Sequence, residues 1–392
     1  MTPLRALPLL ASAGFASMMS MRLCDAMLPA LAQTFGTQPG DAARVISAFA
    51  IAYALLQLAY GPLGDRFGKP IVISIATFAC SAGALAAATS PTLDALTWSR
   101  VVMGAGAAGI IPLTMAWIGD QVPYLQRQEV LARLLGSTVL GMMAGSWAGG
   151  AVAETVGWRA GFFAMALLFA VIGVLLRVVR VGAGPVAAGS SQRSFLVQIA
   201  TVFASTWARR VLVVSFLEGA LVFGVLAFVP SYLHDQFQLT LAGAGGILAL
   251  FGLGGLLYSR VAGLLLRRLG APTLAGAGAL SLSIAFVVLA TMPHWAWSLP
   301  ACLVAGLGFY MLHNTLQTCA TQLSVTARGT AVSLFVCALF LGQSSGVTGA
   351  AWCVAKYSAT LCFGIAAIAL LALGTYFALH LRTQLNVSEV AS

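Results

Sequence analysis

Five ionisable residues sit inside runs of sequence too apolar to hydrate them: Arg22, Asp25, Arg100, Glu218 and His313. A charge in the middle of a bilayer is costly unless it is paired or hydrated, so each such residue is a candidate for a polar path or a proton relay. Arg22 and Asp25 are spaced i, i+3, which puts them on one face of a helix. Asp25 and Arg100 each lie roughly five to eight residues from the same end of their runs, or about 10 Å in a helix, and are expected to meet. Glu218 and His313 lie at a common depth near the other end of theirs, with Asn314 and Gln317 close to His313. A carboxylate taken out of water gains from protonation. Asp25 has two potential arginine partners and Glu218 only a histidine, so Glu218 is read as the proton carrier and Asp25 as the acid that holds Arg22 and Arg100 in place.

The elements that must position these side chains are membrane helices. Of 392 residues, 60% are hydrophobic and 8% charged, against roughly 25% charged in an average soluble domain. Apolar runs near 6–30, 43–60, 70–89, 93–118, 130–153 and 159–180 are each close to the roughly 20 residues that span a bilayer. Six more follow near 210–233, 240–262, 271–292, 297–321, 329–353 and 357–381. The first run resembles a signal peptide, with Arg5 before it and Ala30-Leu31-Ala32 as a cleavage-like site. Removing it would leave an odd helix and an unmatched half, so it is read as a span. The reading is an all-α membrane protein of twelve transmembrane helices in two pseudo-symmetric six-helix bundles, 1–181 and 209–392. A cytoplasmic linker, 182–208, joins them and carries a short interfacial helix built on Phe195, Leu196, Ile199, Val202 and Phe203.

Charge sets the orientation. With both termini inside, Arg44, Arg159 and Lys356 are the only Lys or Arg residues in outer connections, Arg22 and Arg100 fall within spans, and the rest of the 20 face the cytoplasm. The net charge of +10 is therefore spread through short connections, which fits a lipid bilayer and excludes a nucleic-acid patch. The sequon Asn386-Val387-Ser388 would face the wrong side for glycosylation. The seven cysteines form no C-x-x-C pair and lie mostly in apolar runs, so neither a disulfide framework nor a metal site is expected. No phosphate-binding loop or metal-ligand spacing suggests an enzyme, and no cofactor is implied.

The chain also repeats itself. Gly61-Pro62-Leu63-Gly64-Asp65-Arg66-Phe67-Gly68-Lys69 has a weaker copy in Gly263-Leu264-Leu265-Leu266-Arg267-Arg268-Leu269-Gly270, at an offset of 202. Gly104 and Gly106 map onto Gly306 and Gly308 at the same offset, and Gly141 and Gly145 onto Gly342 and Gly346 at 201. Such agreement argues for two related halves.

The pattern Gly-x-Leu-x-Asp-Arg-x-Gly-Lys at 61–69 resembles the loop between helices 2 and 3 of the major facilitator superfamily of secondary transporters. That resemblance implies a conformational switch formed by Gly61, Asp65, Arg66, Gly68 and Lys69, with Arg267 and Arg268 in the second copy. Asp65 is implied to meet the start of helix 11 near Arg328 and Gly329. The segment Arg100-Val101-Val102-Met103-Gly104-Ala105-Gly106 resembles the helix-4 motif, whose arginine is tied to proton transfer. The run Gly141 to Gly150, with Gly145, Gly149 and Gly150, resembles the helix-5 motif of the drug:proton antiporter branch, although the family's proline after the second glycine is Ser146 here.

In this superfamily helices 1, 4, 7 and 10 line the central cavity, and those four hold all five intramembrane ionisable residues. The cavity is expected to include Tyr53, Gln57, Phe309, Tyr310, Asn314 and Gln317, with Trp117, Trp147 and Phe223 as further aromatic surface for an amphipathic substrate. The function expected is proton-coupled export of small amphipathic or organic molecules across a bacterial inner membrane by a monomeric antiporter. Transport of an organic anion or metabolite in either direction is the alternative within the class. A non-transporting membrane receptor or scaffold is the alternative outside it.

Overall fold

The computed structural model describes residues 3–179, 195–324 and 328–390. Among them every regular element is a helix. Eleven stretches are long and apolar enough to cross a membrane. One of them, α12 (Leu241–Thr291), has 51 residues and breaks at Gly270, where φ is 72° and ψ 161°. At 1.5 Å per residue it is more than twice as long as a bilayer is thick, so it supplies two spans. With its two arms counted separately, the twelve spans read from the sequence are present.

The chain divides into two compact units, Met1–Arg193 with Leu239–Gly246, and Ser194–Gln238 with Ile247–Ser392. The first holds α1 (Pro3–Arg22), α2 (Leu28–Phe35), α3 (Pro39–Ala42), α4 (Arg44–Phe67), α5 (Lys69–Ala88), α6 (Leu93–Gln121), α7 (Tyr124–Thr155) and α8 (Trp158–Val178). Here α1 packs on α7, while α6 packs on both α4 and α5. The second holds α9 (Phe195–Ala204), α10 (Thr206–Leu226), α11 (Val229–Phe237), most of α12, α13 (Ser298–Gln322), α14 (Arg328–Lys356) and α15 (Ala359–Val390). There α10 packs chiefly on α14.

The first span is not continuous. It stops at Arg22, passes through a 3₁₀ turn at Asp25–Met27 and resumes as α2. Pro29 explains the break: a proline has no N–H to give and its ring clashes with the carbonyl four residues back, which here belongs to Asp25. Asp25 therefore lies in a helix break and not on one regular helical face with Arg22. The seventh span breaks in the same way, between α10 and α11 at Pro230, so Leu226 occupies the place of Asp25 at an offset of 201.

The repeat extends to backbone contacts. A Cβ on Gly104 would collide with the carbonyl of Phe49, and one on Gly306 with the carbonyl of Phe251, both pairs being displaced by 202. Gly106 lies against Ala76 and Gly308 against Gly278, again at 202. Gly141 and Gly145 meet Phe15 and Met19, and Gly342 and Gly346 meet Phe216 and Ala220, all at 201. Gly149 and Gly150 press on the carbonyls of Leu23 and Leu241. Glycine at these places lets helix backbones touch.

Most of the motif at 61–69 is helical, and the turn within it is tight. Helix α4 continues through Pro62 to Phe67, and Gly68 alone (φ 87°, ψ 124°) turns the chain into α5. In the second copy Gly270 has the same job, 202 residues on. A side chain at either position would be strained by the positive φ. Gly64 seats α4 against Leu113 of α6, whereas Gly61 faces open space. The linker segment around Gly189–Arg193 and the side chains of Phe195, Leu196 and Arg328 lie outside the described residues. Helix α9 buries Val202 and is tied to α14 by a hydrogen bond from Thr330 Oγ1 to Gln198 Oε1, 2.6 Å.

Candidate functional site

In the first unit, Arg22 closes α1 and its Nη1 lies 3.2 Å from Asp25 Oδ2, with both residues buried. A cation at a helix C-terminus is favoured by the helix dipole. Asp25 Oδ1 has no hydrogen-bond partner among the described residues. The expected meeting of Asp25 with Arg100 does not occur at ion-pair distance. Arg100, fully buried on α6, instead donates from Nη1 to Ser20 O at 3.0 Å and from Nε to Val45 O at 3.4 Å. Its guanidinium also lies over the Phe49 ring, 4.3 Å from the centroid. The reason is the helix break. Ser20 belongs to the last turn of α1, whose carbonyls have no intrahelical donor, and the planar fork of Arg100 reaches one of them. Arg100 Nη2 is left without a hydrogen-bond partner among the described residues.

One turn along α6, Gly104 touches the carbonyl of Phe49, so Arg100 and Gly104 together fix α6 on α4 at Val45 and Phe49. Tyr53 stacks on Phe49 with centroids 6.2 Å apart. Gln57 is buried on the same helix, its Nε2 without a hydrogen-bond partner among the described residues. Trp117 is buried and Trp147 exposed.

In the second unit the expected pair is formed. His313 Nδ1 on α13 lies 2.9 Å from Glu218 Oε2 on α10, and Glu218 has no exposed surface. Glu218 Oε1 has no hydrogen-bond partner among the described residues. The imidazole stacks on Phe309 (4.8 Å, 18°) and faces Phe335 at 5.3 Å. Phe309 sits among Phe223 (4.9 Å), Phe251 (5.5 Å) and Tyr310 (5.2 Å). Asn314 hydrogen-bonds Tyr258, while Gln317 is exposed. A carboxylate and an imidazole at this distance share one hydrogen bond.

At the 61–69 motif, Lys69 Nζ bridges Asp65 Oδ1 at 3.3 Å and Asp120 Oδ2 at 2.7 Å. Arg66 stacks over Phe67, 5.1 Å from its centroid, and Arg267 and Arg268 are exposed on α12. The implied contact of Asp65 with Arg328 involves a side chain outside the described residues.

Sequence reasoning passed over Ser20, Phe49, Asp120, Phe251 and Phe335. Phe251 was within reach, since it stands at Phe49 plus the repeat offset. Asp120 carries no such signal, because its partnership with Lys69 depends on how α6 ends beside α5.

The chain is 23% identical to the MFS-type transporter YceJ of Bacillus subtilis (strain 168) over 356 residues, covering 87% of this chain and 86% of that one. It is 29% identical over 161 residues to the Yersinia pestis (strain Pestoides F) protein named for multidrug resistance, MdtD, a match that spans 41% of this chain and about a third (34%) of that longer one. Its fold is similar to the crystal structure of the nucleoside transporter NupG, with a TM-score of 0.77 at 16% identity over 96% of this chain and 98% of that one. The family model of the Major Facilitator Superfamily matches residues 10–347, and the chain belongs to that family of membrane transporters.

Proposed function

We propose that the protein is a proton-coupled exporter of small amphipathic organic molecules, working by alternating access. The observation that carries this reading is the Glu218–His313 pair: a fully buried acid facing a titratable base at 2.9 Å, with its second oxygen unpartnered among the described residues. Such a pair takes up and releases a proton without leaving an isolated charge in the membrane. In this scheme Glu218 exchanges its proton for substrate, and the Arg22–Asp25 and Arg100 clusters hold the broken first span in shape. The halves 1–181 and 209–392 alternate in access, with Tyr53 and Gln57 as substrate-facing residues of the first and Phe309, Tyr310, Asn314 and Gln317 as those of the second, and the segment at Asp65, Arg66 and Lys69 biases the exchange. The distribution of Lys and Arg favours cytoplasmic termini, and a bacterial inner membrane and a monomer complete the picture. The partial likeness to MdtD supports export.

A second reading has its own observation. Asp25 pairs with Arg22 while Arg100 bonds backbone oxygens, so the buried groups of the first unit carry a surplus positive charge that suits an organic anion. One experiment serves both. The protein is reconstituted in liposomes containing a pH-sensitive dye and given panels of lipophilic cations and of organic anions. Proton movement set off by a cation supports export of amphipathic cations, and movement set off by an anion supports the second reading. Accumulation of a compound with no accompanying proton flux, under an imposed pH gradient, sinks the coupling.

A further inference from the structure

The start of α10 presents a stripe that the transport reading does not use. Arg209, Leu212, Val213, Phe216 and Leu217 recur at helical spacing, and with Phe203 of α9 they line a groove of about 500 Å³. Every lining side chain is apolar except Arg209, which stands at one end. Val213, Leu217 and Phe203 are substantially exposed, so in a membrane the groove meets lipid. The guanidinium is held at the rim: Nη1 donates to Phe203 O at 2.9 Å, one of the carbonyls left over at the end of α9, and Nη2 donates to Thr206 Oγ1 at 3.0 Å. Nε–H and the second N–H of each Nη take no part in these two bonds, and a planar fork fixed in place matches a phosphate.

The height of the groove is also defined. Ser205 caps α10 by accepting from Ala208 N, and this span begins at Thr206. Trp207 beside it stacks on Phe377, and tryptophan is typical of the level where headgroups meet hydrocarbon. From Arg209 to Leu217 the stripe runs about 12 Å along the helix, downward from that level into the apolar layer.

We propose that this groove binds one anionic phospholipid, its phosphate on Arg209 and one acyl chain laid along Val213, Phe216 and Leu217. The charge at the rim selects an anionic headgroup over a zwitterionic one, and the groove turns a diffuse surface attraction into a site. Because α9 is tied to α14 through Gln198 and Thr330, the bound lipid would stiffen the helix that follows the linker.

The test uses the full chain in mild detergent, with phosphatidylglycerol and phosphatidylcholine of identical chains competing for retention in native mass spectrometry. Wild type should retain phosphatidylglycerol about fivefold over phosphatidylcholine, the preference that one well-placed basic residue provides. Arg209→Ala should lose that preference, Arg209→Lys should keep part of it, and Val213→Trp, which fills the groove, should lower retention of both lipids. Arg210→Ala, whose side chain does not line the groove, should behave as wild type. Size-exclusion profile and thermal unfolding in detergent establish that each variant is folded. Equal retention of the two lipids by wild type overturns the proposal, as does an unchanged preference in Arg209→Ala. Equal losses in Arg209→Ala and Arg210→Ala also overturn it, since they would mark a diffuse field and no site.

Discussion

Glu218 and His313 face each other across α10 and α13 at 2.9 Å, and at the matching places of the first half, offsets 201 and 202, stand Ser17 and Ile111. The repeat that copies helix breaks and glycine contacts does not copy this pair. Pure scaffolding would have little reason to appear in one half alone. Glu218→Gln should therefore let substrate bind but abolish pH-gradient-driven accumulation and substrate-induced proton release. His313→Gln should weaken coupling while leaving some facilitated movement. Counterflow of labelled substrate, which needs no gradient, separates binding from coupling, and a Glu218→Gln protein that still concentrates substrate removes Glu218 from the proton path.

Arg100 joins α6 to the loose end of α1 and to α4. Its donors satisfy the Ser20 and Val45 carbonyls. Arg100→Ala should cost about 1–3 kcal/mol for each buried group it leaves unsatisfied, with transport abolished. Arg100→Lys keeps the charge but loses the fork and should retain a fraction of activity. Because Asp25 pairs with Arg22, Asp25→Asn should lower transport without reproducing the stability loss of Arg100→Ala. Thermal unfolding of the three variants in one detergent checks the order.

The twelve spans, the duplicated architecture and the Glu218–His313 pair were legible because apolar runs fix spans and their ends fix depth. Depth does not fix direction around a helix axis. Asp25 and Arg100 share a level, yet Arg100 turns to the end of α1. The clue to that outcome was present in Pro29, whose clash with the Asp25 carbonyl breaks the helix and frees acceptors for Arg100. Of the three glycines of 61–69 only Gly68 needs a positive φ; Gly64 is a packing notch and Gly61 faces open space. Lys69–Asp120 was hidden because it joins residues far apart in sequence through packing alone.

Lys69 sits between Asp65 and Asp120, and both carboxylates are well exposed. Exposed pairs contribute about 0–1 kcal/mol, so Asp65→Asn and Asp120→Asn should barely move thermal stability. If the 61–69 segment biases the conformational exchange, both should still cut transport, and Lys69→Gln should cut it most because it removes the shared partner. Loss of transport in step with a falling unfolding temperature would make the cluster a structural clamp instead.

The repeated glycine contacts give the sharpest stability test. Gly104 and Gly306 each oppose a backbone carbonyl, of Phe49 and Phe251. A backbone cannot swing aside as a side chain can, so an added methyl must push two helices apart, at about 1–3 kcal/mol. Gly136 on α7 and Gly349 on α14 have nothing within 4 Å of a built Cβ. At those places alanine should be neutral or stabilise the helix by about 0.5–1 kcal/mol. Thermal unfolding in a single detergent should thus place Gly104→Ala and Gly306→Ala together and well below wild type, with Gly136→Ala and Gly349→Ala at or above it. The equality of the first two is the demanding part, because it requires the two halves to share a contact and not merely a sequence pattern. If Gly104→Ala unfolds early while Gly306→Ala matches wild type, the offset of 202 describes ancestry but no longer a common packing rule.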